Sequence, residues 1–230
     1  MLRDAPFVVG ESYHVFNRGA HKNKIFIDDG GYARFLLLLH LANNTERVDI
    51  REILRKYRGE AFSVIFEKEC PNKELVDILA YCLMPNHFHL VLRQKVEDGI
   101  SLFLRRTMTG YAMYFNLSKK HNGTLFQGPA KSRLIDNESY FRYIFAYIHL
   151  NPLDLVEPHW KEKGVFSNPR TKNFLYEYAY SSFFDYTVAG RPERSILAYD
   201  VAPDFLKSSN DFEDLLRWHE GGNLFNTLPF

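Results

Sequence analysis

The sequence predicts an α+β domain built on an antiparallel sheet with helices packed on one face. Three observations predict it. Short runs rich in Val, Tyr, Phe and Leu alternate with segments whose apolar residues recur at helical spacing. Their order is strand, helix, strand, strand, helix, then a strand and a further helix. A tight Pro85-Asn86 turn joins two of the strands directly, which suits an antiparallel pair. With 230 residues the chain can bury a core of this kind, as one domain or one domain with an appendage.

The elements follow in order. Phe7 to Asn17 reads as the first strand, closing at Arg18-Gly19. Asp28-Asp29 then caps a helix through Tyr32, Phe35, Leu36 and Leu39. Asn43 to Arg58 is charged and compatible with helix, and Gly59 to Asn72 carries one short apolar run, Phe62 to Phe66. Leu75 to Leu83 and His87 to Arg93 form a hairpin about the Pro-Asn turn. Ser101 is placed to cap a helix from Leu102 to about Lys120, and Asn122-Gly123 is a turn. Leu125 to Ile135 is irregular and ends in a short strand. Asn137 caps a helix from Ser139 to about Leu150, and Pro152 stops it because the residue before proline is driven out of the α region. Pro and Gly punctuate the chain beyond residue 160, and Asp211 to Glu220 has the pattern of a last amphipathic helix.

Composition narrows the class. An apolar fraction of 46% and a charged fraction of 25% belong to an ordinary globular protein. The start of the chain has no apolar leader, and the run from Phe35 to Leu39 is far too short to span a bilayer. Cys70 and Cys82 offer neither a zinc ligand set nor a disulfide framework, which suits a reducing compartment. The expectation is a cytoplasmic protein with no membrane partner. Net charge is only +1, yet between Gly99 and Ile135 six basic residues (Arg105, Arg106, Lys119, Lys120, Lys131 and Arg133) meet no acidic one. A phosphate backbone wants such a surface, while a solvated basic helix face explains it equally simply.

The run Met84-Pro85-Asn86-His87-Phe88-His89-Leu90 carries the chemistry. Side chains alternate along a strand, so His87 and His89 share a face and together can supply two ligands to a divalent metal. On spacing alone, two surface histidines on a half-exposed strand account for the pattern as well. Tyr147 and Asn151 stand four apart on one helix and therefore near each other. That helix also holds Tyr140 and Tyr143, an aromatic stripe of the kind that usually packs a core, and Tyr143 competes with Tyr147 for any chemical role. His14 and Asn17 on the first strand can face the site or contact DNA, with solvent exposure the simpler expectation, and His149 points away from the Tyr147 face.

Tyr81 to Leu92 resembles the His-hydrophobic-His (HUH) motif of IS200/IS605-type tyrosine transposases, and most of all of their REP-associated branch. Tyr13 to Gly19, Gly123 to Gly128 with Lys131-Ser132, Tyr147 to Pro152, and Tyr180-Ser181-Ser182 resemble further segments of that family in the same order, over roughly residues 12 to 186. The resemblance implies a ferredoxin-like sheet over residues 1–160, an insertion at about 45–72, and a C-terminal extension over 161–230 packed on the same domain. It implies Tyr147 as nucleophile, and His87, His89 and Asn151 as ligands of Mg²⁺ or Mn²⁺. It also implies single-stranded or hairpin DNA as partner, held by the six basic residues, in a monomer or a homodimer. The activity implied is metal-dependent cleavage and rejoining of single-stranded DNA through a 5′-phosphotyrosine. A domesticated relative that binds structured DNA without cutting it is the alternative. The chain departs from the family at Pro129-Ala130, where an arginine and a tyrosine are usual, and at the aromatic before Ser181-Ser182, which here is Tyr178 or Tyr180.

Overall fold

A computed structural model describes residues 6–158, 160, 169–187 and 190–203. Four strands, β1 (Ser12–Arg18), β2 (Val76–Met84), β3 (His87–Gln94) and β4 (Lys131–Leu134), form one sheet in the order β2-β3-β1-β4. Every pairing is antiparallel. With the helices α1 (Asp29–Leu41) and α4 (Gly99–Lys119) between the strands, this is the ferredoxin-like order. Two shorter helices, α2 (Ile50–Lys56) and α3 (Phe62–Lys68), occupy the segment expected as an insertion, and Ile65 and Phe66 of α3 are buried. Among the described residues no helix is long and apolar enough to cross a membrane.

Local chemistry sets the boundaries. Asp28 caps α1 by accepting from the Gly31 amide at 2.9 Å. Asn137 caps α5 (Glu138–Leu150) by accepting from the Tyr140 amide at 2.8 Å. The cap expected at Ser101 is displaced: α4 begins at Gly99, after Asp98 in the left-handed region, so Ser101 lies inside the first turn. Gly99 is required there, because a Cβ would come within 2.4 Å of the Leu75 carbonyl oxygen. After α5 the chain tightens into a 3-10 turn, Asn151–Leu155, with Pro152 as its second residue. The helix expected at Asp211 to Glu220 lies outside the described residues.

Both faces of the sheet are covered. Tyr13, Val15, Phe88, Leu90 and Leu92 pack with Phe35, Leu38, Phe103 and Tyr111 of α1 and α4. The opposite face, with Ala80, Cys82, Met84 and Val91, receives α5 through Ile144, Tyr147 and Ile148. A bulge between Ile78 and Ala80 lets two consecutive residues, Leu79 and Ala80, face α5. The described part of the C-terminal region clamps the free edge of β2. The Tyr180 carbonyl accepts from Leu83, Tyr178 donates to the Leu83 carbonyl at 2.7 Å, and Arg191 pairs with buried Asp185 beside the Tyr81 hydroxyl.

Candidate metal and nucleophile site

The register places the motif histidines. Arg18 pairs with His87, Phe16 with His89 and His14 with Val91, so His14, Phe16, Arg18, His87 and His89 project from the face that α5 covers. The next strand extends this row: Lys131 pairs with Phe16 and Arg133 with His14. Along α5, Tyr140, Tyr143, Tyr147 and Asn151 form a stripe over the same row. Its first ring lies under the Arg133 guanidinium, 4.5 Å from the centroid. Its last residue reaches His87, with Asn151 Oδ1 3.1 Å from His87 Nε2. Between them the Tyr147 ring stands edge-on to His89, centroids 5.6 Å apart at 89°.

Four of the residues singled out from sequence are thus brought together from β3 and α5. Tyr143, one turn earlier, stacks between Tyr140 and Tyr147 at about 6.4 and 6.3 Å. His149 lies on the far side of α5, with Nδ1 2.8 Å from the Phe145 carbonyl and Nε2 2.6 Å from Ser182 Oγ. Ser182 also accepts from the Tyr81 amide, which gives the Ser-Ser segment a structural task.

The expectation for the first strand is corrected. His14 is 1% exposed and Asn17 is buried. His14 Nε2 lies 2.9 Å from His89 Nδ1, and their rings stack at 17° with centroids 5.1 Å apart. Asn17 donates to the Gly128 carbonyl at 2.8 Å, tying β1 to the loop before β4. The sequence hides this because cross-strand neighbours cannot be read before the register is known. Asn86, read only as a turn residue, is the second omission: its Oδ1 is 2.6 Å from His87 Nδ1.

The electrostatics follow from burial. Burial, with the nearby Arg18 charge, lowers the His87 pKa to about 4, against a raising contribution from its hydrogen bond to Asn151. Burial and Arg133 lower that of His14 to about 3. Tyr147, 4% exposed, is pushed well above the ordinary phenol value by burial first and by the Asp154 carboxylate second, while Asn151 opposes the shift. A neutral imidazole carries one N–H. Only one of the two oxygens facing the His87 ring can accept that N–H. The shorter contact, Asn86 Oδ1 at 2.6 Å from Nδ1, favours Nδ1 over Nε2, which is 3.1 Å from Asn151 Oδ1; with the proton on Nδ1 the hydrogen bond to Asn151 is absent. Two facing lone pairs ask for a cation, or for the Asn151 amide to turn its NH₂ inward. Cis donors at about 2.1 Å from one Mg²⁺ lie about 3 Å apart, so this pair fits a divalent ion without moving. Among the described residues no three His, Cys, Asp or Glu side chains gather to hold a metal, so an ion placed here would draw on the two imidazoles and an amide oxygen.

The six basic residues do not form one surface. Lys131 and Arg133 share the histidine face. Arg105, Arg106 and Lys119 belong to α4 and Lys120 caps its C-terminus, on the opposite face. Arg106 donates to the carbonyls of Asn44 and Glu46, and Lys119 pairs with Asp28. Arg105 and Arg106 instead border an apolar groove with Arg34, Arg47 and Arg51.

No family model matches the chain, and no curated protein sequence does. Among solved structures it is similar to a REP-associated tyrosine transposase bound to a REP hairpin, at 14% identity and a TM-score of 0.47, over 91% of this chain and 95% of that one. It is also similar to a tRNA(His) guanylyltransferase from Saccharomyces cerevisiae, at 9% identity and a TM-score of 0.37, over 90% and 87% of the two chains. Both scores lie below 0.5, so the functional reading rests on the site's own geometry.

Proposed function

We propose that the protein is a metal-dependent single-stranded DNA endonuclease and strand transferase that acts through Tyr147. The observation that carries this reading is the meeting of β3 and α5, where His87 Nε2 and Asn151 Oδ1 are 3.1 Å apart and Tyr147 stands against His89. His87, His89 and Asn151 would hold Mg²⁺ or Mn²⁺, an ion that supplies charge neutralisation to the non-bridging oxygens of a phosphodiester. Tyr147 Oη attacks phosphorus in line, forming an O–P bond as the P–O3′ bond breaks. The phenol proton leaves with the attack, and the departing 3′ oxygen is protonated to a 3′-OH. The strand's 5′ end stays bound as a phosphotyrosine, so a second 3′-OH can displace Tyr147 and rejoin strands with no nucleotide cofactor. Lys131, Arg133 and Arg18 on the same face favour the approach of a phosphate backbone.

The second reading, a non-cleaving binder of structured single-stranded or hairpin DNA, draws on a different observation. Tyr147 is 4% exposed and its proton is held tightly, so in this conformation the phenol is shielded from a scissile phosphate. The two readings part on a covalent-trapping experiment. The full chain is incubated with 5′- and 3′-labelled hairpin oligonucleotides from the DNA flanking its gene, with Mn²⁺ or EDTA, beside Tyr147→Phe. A metal-dependent adduct on the 5′ side that disappears in Tyr147→Phe establishes the nuclease. Tight binding with no adduct under any metal establishes the binder.

A further inference from the structure

We propose that His14 and Asn86 are positioning residues that lock both motif histidines with Nε2 turned toward one shared cation. The proposal rests on the reading of His87, His89 and Asn151 as a divalent-cation site. It starts from a symmetry in the contacts. The nitrogen of His87 held by Asn86 Oδ1, at 2.6 Å, is Nδ1. The nitrogen of His89 held by His14 Nε2, at 2.9 Å, is also Nδ1. A ligand common to both rings must therefore take Nε2 from each.

A ligating imidazole nitrogen must be bare of its proton, so the proton must sit on Nδ1, and whatever accepts from Nδ1 decides the tautomer. Asn86 Oδ1 is an acceptor outright. His14 Nε2 is an acceptor only when the His14 proton sits on its own Nδ1. That Nδ1 is buried with no hydrogen-bond partner among the described residues. Either ring can donate across this contact, since a neutral imidazole carries one N–H. With a cation held at Nε2 of His89, His89 would carry its proton on Nδ1 and donate, and His14 would carry its proton on Nδ1 and accept. Each ring keeps one proton throughout, so nothing is oxidised, reduced or released.

His14 cannot swing away from this task. It is diagonal to His89 across the β1–β3 ladder and packs against both His89 and Phe16, whose centroids lie 5.1 and 5.0 Å away and 5.8 Å from each other. A histidine kept only for packing would not need its Nε2 in line with the Nδ1 of a motif histidine.

The test is Mn²⁺ titration of the full-length protein by calorimetry and by Mn²⁺ EPR, with no DNA present. His14→Phe keeps an aromatic ring in the stack and removes the acceptor; affinity falls by about 10- to 100-fold. His14→Gln offers an amide oxygen near the Nε2 position and restores binding to within about fivefold. Asn86→Ala shows a loss like that of His14→Phe, acting on His87. Long-range ¹H–¹⁵N NMR of the wild type with diamagnetic Mg²⁺ shows His87 and His89 both protonated on Nδ1. Folded His14→Phe with wild-type Mn²⁺ affinity overturns the proposal, as does a Mg²⁺-loaded His89 protonated on Nε2. If the wild type itself takes up no Mn²⁺, the cation-site reading fails first and takes this one with it. The NMR measurement needs no variant, so it decides even where a substitution prevents folding.

Discussion

The two faces of the sheet use the same strands for opposite purposes. On one, Phe88 meets Phe35 with centroids 5.1 Å apart, Phe35 meets Tyr111 at 5.1 Å, and the Tyr111 hydroxyl is satisfied by the Ile25 carbonyl at 2.6 Å. On the other, His14, His87, His89 and Asn151 bring imidazoles and an amide under α5, where apolar packing would hold the layers together better. Phe88 separates His87 from His89 in sequence and faces the opposite way. Under the proposed function, strand alternation lets consecutive residues serve stability and chemistry separately, and substitutions one residue apart should separate the two.

The largest expected effect tests the chemical face. Tyr147→Phe removes one oxygen and leaves the ring against His89, so the covalent adduct should fall by about 10⁴-fold or more. Affinity for a hairpin oligonucleotide and the unfolding midpoint should barely move. Gel analysis of the adduct beside anisotropy binding measures both, and an adduct that survives would place the nucleophile on Tyr143. The mirror experiment is Phe88→Ala. It opens a cavity on the other face and should cost about 3–5 kcal/mol in urea unfolding, while the fraction still folded at low temperature keeps Mn²⁺ binding. His87→Ala, at the half-buried rim, should reverse the pattern, with Mn²⁺ binding lost and stability nearly kept. If both variants lose stability and metal binding together, the two faces are one cooperative unit and the division fails.

Much of the first face, and the start of the helix that covers the second, was legible in the sequence. The spacing of Tyr32, Phe35, Leu36 and Leu39 places α1, the Pro85-Asn86 turn places the hairpin, and Asn137 starts α5 where its side chain does cap it. The second face was legible only where it is local: His87 with His89 through period two, Tyr147 with Asn151 through helical spacing. Its long-range part was not. That His14 meets His89, 75 residues away, depends on strand order and register, which no local pattern encodes. The Ser101 cap failed for a related reason: the helix starts three residues earlier, at Gly99, which packs closely against Leu75. The basic run misled in a third way. Contiguity in sequence suggested one surface, but α4 and β4 lie on opposite sides of the sheet.

Acidity should reveal the buried polar face directly. Burial holds the pKa of His14 and of His149 at about 3 and that of His87 at about 4. The unfolded chain protonates these positions below about pH 6.5, and the folded chain does not until about pH 4. Stability is therefore full above pH 6.5 and falls as pH drops toward 4, by up to about 1.4 kcal/mol per pH unit for each group. Urea unfolding at pH 7, 6 and 5 measures the slope, and His14→Phe should lessen it. An unchanged slope in that variant would mean that His14 is protonated in the folded state.

The smallest effects sharpen the comparison most, because they ask which face meets DNA. Lys131 and Arg133 stand on exposed β4 beside the row of histidines. Replacing either with alanine should weaken binding of a labelled hairpin oligonucleotide several-fold and reduce the salt slope by about one. Arg105→Ala and Lys120→Ala, on the other side of the sheet, should do less. Lys119→Ala should do least, since its ammonium is already paired with Asp28. Arg106→Ala should loosen the segment around Asn44 and Glu46, whose carbonyls it holds, before it touches affinity. Anisotropy titrations between 50 and 200 mM salt rank the six. If the α4 substitutions dominate, the strand lies on the face away from Tyr147 and must wrap the edge of the sheet to reach it. Under the nuclease reading that path is needless, because β4 already offers two cations beside the nucleophile.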